Sequence, residues 1–246
     1  MVQFASKYRS SEVEIMDSFD LQGAEMSELL NDLKTVNRYL GGTRITLEGI
    51  KKLLTNRPRD RPVTIVDFGC GDGEMLRKCA IYGENVGCKF KLIGVDANGH
   101  ILEDARIKSA NYKNISFQKI DVFSTEQSLP ECDIALCTLF LHHFRDSEIA
   151  ALLQRIHIRS NVGIVVNDLQ RSWLAFRLFK VFGRVFLKSK TARHDGLVSV
   201  ARGFRKKELM QISKEIGAGH NSVQWCWAFR YQWVLFKNSK ENLKNS

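Results

Sequence analysis

The stretch "PVTIVDFGCGDGEML" runs from Pro62 to Leu76 and decides the reading of the chain. An apolar, β-branched run ends at Gly69, Gly71 and Gly73, and helix-forming residues follow. A strand that turns through glycines into a helix presents backbone N–H groups to a ligand, which is how nucleotide cofactors are commonly held. The dinucleotide fingerprint G-x-G-x-x-G is not met. The third glycine comes one residue early, and Glu74 stands where that fingerprint wants glycine. Asp67 precedes the loop, and Asp72 and Glu74 flank its last glycine. Three carboxylates there oppose a pyrophosphate and favour a cation.

Two later acids carry the reading further. Asp96 ends the run "KLIGVDA" at the interval expected of a ribose-binding carboxylate. Asp121 ends "FQKIDVF", where it can accept from an adenine amino group while Val122 and Phe123 pack near the ring. S-adenosylmethionine combines a nucleoside with a sulfonium and an α-ammonium group and carries no phosphate. Asp67 is expected within direct or water-mediated reach of that ammonium. The glycines let the backbone approach closely.

On these residues the sequence resembles the class I S-adenosylmethionine-dependent methyltransferases. "VDFGCGDG", "GVDA", "KIDVF" and "DIALCTLFLHHF" occur in order between Pro62 and Asp168. The resemblance implies a Rossmann-like α/β fold. Its seven-stranded, mostly parallel sheet has helices on both faces and a last strand antiparallel to the others. It implies S-adenosyl-L-methionine as cofactor and S-adenosyl-L-homocysteine as product. The cofactor contacts it implies are Asp67, Gly69, Cys70, Gly71, Gly73, Asp96, Ala97, Asp121, Val122 and Thr138. "NRYLGG", "LFLHHF" and "RHDGLVSVARGF" are similar to small-molecule methyltransferases acting on quinols, phenols or polyketides.

The rest of the chain fits one such domain. Met26, Leu29, Leu30, Leu33, Val36 and Leu40 recur at helical spacing, with Gly41 and Gly42 as a C-cap signal. A second helix, "TLEGIKKLLTN", reads as capped by Thr46. Residues 1–60 are thus an N-terminal helical cap segment, with residues 1–20 polar and loose. Residues 61–246 are the methyltransferase domain. Strands and helices alternate from Val63 to Asp168, the pattern of βαβ units. Residues 170–203 read as a lid-like insertion: an amphipathic helix, "RSWLAFRLFKVFGRVFLKSK", then a loop, "TARHDGLVSVARGF". "SVQWCWAF" and "YQWVLFK", separated by Arg230, read as a closing antiparallel pair. The alternation of Trp225, Trp227 and Phe229 reads as core.

Composition bounds the setting. The chain has 246 residues, 44% apolar and 26% charged, as in an ordinary globular protein. No apolar run approaches a membrane span, and "MVQFASKYRSSEVE" lacks the apolar region of a secretory signal. Six cysteines without a CxxC pair favour reduced thiols over a disulfide framework or a zinc site. The expected location is cytoplasmic, with peripheral membrane contact as an option. The window from Arg155 to Lys207 holds thirteen Lys or Arg and two acids, a net +11 in a chain of net +10. Such a patch can face nucleic acid, an anionic membrane or an acidic substrate, or can simply solubilise the protein. Arg177, Lys180, Arg184 and Lys188 lie near one face of the 171–188 segment. That segment suits a lid over a hydrophobic pocket first, a membrane contact second and a dimer face third. The chain is expected to be a monomer or homodimer.

Candidate catalytic residues follow from chemistry. The methyl group of a sulfonium is already activated, so alignment and removal of an acceptor proton remain. Histidine suits that base near neutral pH. His142 and His143 follow the fourth strand, at the ligand edge of an open sheet. Of the two, His143 is favoured to face the substrate; both can equally serve packing and capping. His194 is the other candidate, in a loop with Asp195 and Arg202. Arg38, Asp168, Arg171 and Arg202 are candidate substrate contacts, and Asp168 can instead cap the next helix. The expected acceptor is a hydrophobic small molecule methylated on oxygen or carbon. A nucleic-acid methyltransferase is disfavoured: no Asn/Asp-Pro-Pro-aromatic motif follows the fourth strand. The sequence also admits a non-catalytic S-adenosylmethionine-binding protein or an NAD oxidoreductase.

Overall fold

The computed structural model describes residues 2–18, 25, 28, 29, 31, 32, 35, 36, 42–55 and 61–237. The apolar runs form a seven-stranded sheet of order β3-β2-β1-β4-β5-β7-β6. Its strands are β1 (Val63–Phe68), β2 (Phe90–Asp96), β3 (Ile115–Lys119), β4 (Cys132–Thr138), β5 (Ser160–Leu169), β6 (His220–Cys226) and β7 (Arg230–Phe236). β1 to β5 pair in parallel, and β7 pairs antiparallel with β5 and β6. The expected sheet is the observed one.

Seven helices are described in full: α1 (Gly42–Leu54), α2 (Glu74–Asn85), α3 (Gly99–Lys108), α4 (Asp146–Arg159), α5 (Trp173–Phe186), α6 (Lys190–Arg202) and α7 (Lys206–Glu215). One sheet face is covered by α1, α2 and α3 through Ile50, Leu53, Leu76, Cys79 and Leu102. The other is covered by α4 and α7 through Ile149, Leu152, Ile156, Leu209 and Ile212. Burial on both faces explains why β1 and β4 read as continuous apolar runs. Register brings the C-terminal ends of β1, β2, β4 and β5 to one edge, where α/β sheets bind ligands.

Several local expectations are corrected. "TARHDGLVSVARGF" is not a loop but lies largely in α6, whose N-cap Ser189 accepts from Ala192 N–H. Gly196 is there for contact, not for a turn: a Cβ on it would fall 2.2 Å from the Phe179 ring of α5. Thr46 does not cap α1, which begins at Gly42; its hydroxyl bonds Thr138 (3.1 Å) and Asn167 (3.0 Å) and so pins α1 to the ends of β4 and β5. Trp227, Ala228 and Phe229 join the last two strands, and Arg230 is a fully buried residue of β7. Trp225 and Trp227 are exposed, not core, because β6 is the sheet's edge strand. Positions 25, 28, 29, 31, 32, 35 and 36 are helical, while Met26, Leu30, Leu33, Leu40 and Gly41 lie outside the described residues.

Residues 2–18 are not loose either. Phe4 packs on Phe176, with ring centroids 5.1 Å apart. The Arg9 guanidinium donates to Asp146 (2.6 Å), Arg202 O (2.7 Å) and His142 O (2.9 Å). Ile15 and Met16 donate their N–H groups to the Asp195 carboxylate. Among the described residues, no helix is long and apolar enough to cross a membrane.

Gly163 tests how tightly the sheet's centre is packed. A Cβ there would lie 2.2 Å from Leu235 O and 2.8 Å from Leu53 Cδ2. Backbone cannot yield as a side-chain tip can, so Gly163→Ala should destabilise the fold by about 1–3 kcal/mol, read by chemical denaturation.

Candidate active site

The glycine loop sits where β1 ends and α2 begins. Gly69, Gly71 and Gly73 all have positive φ (71°, 51° and 76°), which side-chain-bearing residues rarely adopt. Gly69 also admits Phe140, whose ring would lie 2.2 Å from an added Cβ. Gly71 N–H donates to Asp96 Oδ2 (3.0 Å), and Asn98 N–H donates to Asp96 Oδ1 (2.9 Å). Asp96 thus fixes the loop while facing the ligand edge.

Asp67 differs from its neighbours. It is buried, and its Oδ1 accepts no hydrogen bond among the described residues. Burial, with Asp96 adding to it, pushes its carboxyl up to about 8. Asp72 is the opposite case, engaged by Lys108 (3.1 Å) and Arg77 (3.6 Å). It therefore brings little negative charge to the ligand, which corrects the picture of three open carboxylates. The Cys70 thiol is raised by burial and stays neutral, a small residue fitted under the loop.

A cavity of about 1030 Å³ opens from this loop. Asp67, Asp96, Ala97, Asp121, Val122 and Thr138 line it together with Gly69, Cys70 and Gly71. Gly73 does not line it, but caps α2. Beyond the loop the lining becomes apolar, with Leu178, Phe179, Val181, Phe182 and Phe186 of α5. Leu139 and Phe229 line it with positive φ (51° and 52°), backbone strain of the kind that gathers at functional sites.

His142, His143 and Glu14 stand on the cavity wall. His142 is buried, its Nδ1 2.7 Å from Asp168 Oδ1 and its Nε2 3.4 Å from Glu14 Oε1. Burial alone would lower its pKa, but Asp168 and Glu14 outweigh burial and hold it up at about 9. His142 is therefore an imidazolium at neutral pH. Burial likewise opposes ionisation of Glu14, but His143, His142 and Ser199 hold its carboxyl down at about 2. His143 is half-buried, with Nδ1 3.9 Å from Glu14 Oε1. Arg202 donates to His142 O (2.8 Å) and to His143 O, so the backbone of both histidines is clamped. Glu14, His142 and His143 place one donor atom each within 4.8 Å, a spacing one divalent ion could bridge.

Other expected site residues fall outside the cavity wall. His194 bonds Asp195 (3.0 Å) and Glu12 (3.1 Å) on the outer side of α6. Arg171 is buried against Glu208 and the carbonyl of Gly203 (2.6 Å). Arg202 acts on backbone carbonyls, as above. Asp168 holds His142 and accepts from Leu169 N–H (2.7 Å). It caps no helix; Ser172 caps α5. Arg38 lies outside the described residues. Two ionisable lining residues escaped sequence reasoning. Glu14 sits in a segment with no motif, its one signal being a carboxylate flanked by Val13 and Ile15. Arg230 reads as a hairpin connector, yet it is a buried cation on the cavity wall.

Comparison with known proteins agrees with this geometry. Residues 65–159, from β1 through α4, match the family model described as a methyltransferase domain. Residues 65–159 of the chain carry a methyltransferase domain. A search of curated protein sequences returns no match. The plantazolicin methyltransferase BpumL, solved with S-adenosylhomocysteine, is 16% identical, with a TM-score of 0.65 over 90% of this chain and 93% of that one. The magnesium protoporphyrin IX methyltransferase ChlM of Synechocystis, solved with S-adenosylmethionine, is 15% identical, with a TM-score of 0.53 over 89% and 86%. The CMeT domain of the citrinin polyketide synthase is 15% identical, with a TM-score of 0.58 over 78% and 51%. At these identities the similarity is one of fold.

The raised Asp67 gives this methyltransferase domain a pH signature. Between the ordinary carboxyl value near 4 and about 8, the unfolded chain loses a proton that folded Asp67 keeps. The Asp67 contribution to stability therefore falls as pH rises through that window. Asp67→Asn removes this dependence. Its melting temperature should exceed that of the wild type by a margin that widens from pH 5 to pH 8, checked by calorimetry without ligand.

Proposed function

We propose that the protein transfers a methyl group from S-adenosylmethionine to oxygen or carbon of a hydrophobic small molecule of phenol, quinol or polyketide type. The observation that carries this reading is Asp67. A buried carboxyl with an unfilled acceptor, beside a glycine loop and open to a cavity, suits a cationic ligand and not a pyrophosphate. In this reading Asp67 accepts from the ammonium group, Asp96 holds the ribose hydroxyls, and Asp121 accepts from the adenine amino group. Gly69, Cys70 and Gly71 pass close beneath, while Val122 packs on the ring. Bound S-adenosylmethionine supplies a methyl group already activated on sulfur, leaving S-adenosylhomocysteine.

The chain's own residues then orient and deprotonate the acceptor. The apolar walls of α5 exclude water and hold a flat hydrophobic body. His143 is the base in this reading, because His142 is held as an imidazolium and His194 is outside the cavity. Glu14 orients His143 and stabilises it once it has taken the acceptor proton. Both ring nitrogens of His142 face carboxylates, Asp168 and Glu14, so His142 serves to hold Glu14 in place beside His143. The solved folds named above act on plantazolicin or magnesium protoporphyrin IX or belong to a polyketide synthase, which supports a small-molecule acceptor. The +11 window supports nucleic acid less than its sum implies, since Arg171 and Arg202 are buried.

The test is methyl transfer from isotopically labelled S-adenosylmethionine to a panel of phenols, quinols and β-ketoacyl compounds, with RNA and DNA in parallel. Label should enter a small molecule and not nucleic acid; label in RNA alone would reverse the assignment. His143→Ala should lower kcat by about a hundredfold, within the range of general-base catalysis, while His194→Ala stays within about twofold. Glu14→Gln should lower kcat less than His143→Ala does, since it removes the carboxylate beside His143 but leaves the base itself.

A further inference from the structure

The helix α5 has two different apolar faces. Ala175, Phe176 and Gly183 are buried, packing toward α6. Leu174, Leu178, Val181 and Val185, spaced at i, i+4, i+7 and i+11, form a stripe that is 47–68% exposed. Leaving four aliphatic side chains in water on one helix is unfavourable, and such a patch marks a contact surface.

Two observations say what covers it. The first is charge. Arg177, Lys180 and Arg184 run alongside the stripe at i, i+3 and i+7, and α5 contains no acid. An apolar stripe edged by cations matches the boundary between hydrocarbon and anionic head groups. A two-fold contact through the same stripe would bring two basic rows together with no acid from α5 between them. The second is continuity. Leu178, Val181 and Val185 belong to the exposed stripe and also line the cavity. Trp227 and Val13, 62% and 63% exposed, stand on the same cavity wall. The cavity mouth is therefore edged by exposed apolar side chains.

We propose that α5 is an interfacial helix that docks the protein on an anionic lipid bilayer, with the Leu174–Val185 stripe immersed and the cavity mouth facing the hydrocarbon. A hydrophobic acceptor then enters from the bilayer without crossing water. The docking stands on α5 alone; the route of entry rests on the methyl-transfer reading above. The two fail separately, because vesicle binding needs no methyl transfer.

Co-sedimentation of the full chain with vesicles tests it. Phosphatidylcholine vesicles are compared with vesicles in which about one lipid in three is phosphatidylglycerol. The protein should partition at least about tenfold more strongly to the anionic vesicles, and high salt should release it. Leu174→Asp should weaken binding to both. The triple variant Arg177→Glu, Lys180→Glu, Arg184→Glu should abolish the preference for anionic lipid. Circular dichroism confirms that each variant keeps its helices. Three results would overturn the proposal. Wild type stays in the supernatant with anionic vesicles; the charge-reversed variant binds them as wild type does; or lipid-free protein forms a dimer that Leu174→Asp dissociates, which gives the face to a second copy.

Discussion

A buried imidazolium held between two carboxylates ties the N-terminal segment to the ligand edge of the sheet. His142 follows β4, Asp168 ends β5 and Glu14 comes from the N-terminal segment, so one charged contact joins three distant parts of the chain. Burying such charges is costly unless each is paired and hydrogen-bonded. Here the pairing is completed by Ser199 on Glu14 (2.7 Å), Leu169 N–H on Asp168 and Arg202 on the histidine carbonyls. Ser199 and Arg202 both lie on α6, so the network also fixes the helical pair that roofs the cavity. Removing one member leaves another charge buried without compensation, which explains why a polar N-terminal segment is held in place.

The cavity wall carries two contrasting electrostatic settings. At the glycine loop, burial holds Asp67 in its neutral form, ready to ionise when a cation arrives. Elsewhere on the cavity wall, Asp168 and Glu14 hold positive charge on His142. Strained backbone at Leu139 and Phe229 lies on the same wall.

The parallel sheet and its loop were legible because their signals are local. Continuous β-branched runs mark strands buried on both faces, and three glycines in five residues mark a backbone with positive φ. Asp67 and Asp96 were legible for the same reason, at strand ends next to that loop. What could not be read depends on distant contacts. "RHDGLVSVARGF" carries turn residues, yet it is helical because Gly196 lets Phe179 of α5 pack against it. Glu14 meets His142 from a remote part of the chain, and no periodicity announces it. Arg230 looks like a hairpin joint because nothing in "WAFRYQW" reveals which residue enters the strand. Trp225 alternates like core, but only the sheet order places β6 at an edge.

Cofactor binding, as proposed, turns most directly on a cation meeting Asp67. Calorimetric titration at pH 7 with S-adenosylmethionine, in buffers of different ionisation enthalpy, measures both the binding and the protons released. Wild type should bind at one site and release close to one proton as Asp67 ionises, Asp67→Asn should bind far more weakly without that release, and NAD should not bind. Binding of NAD in place of S-adenosylmethionine, or equal affinity of Asp67→Asn with no proton released by either protein, would contradict it.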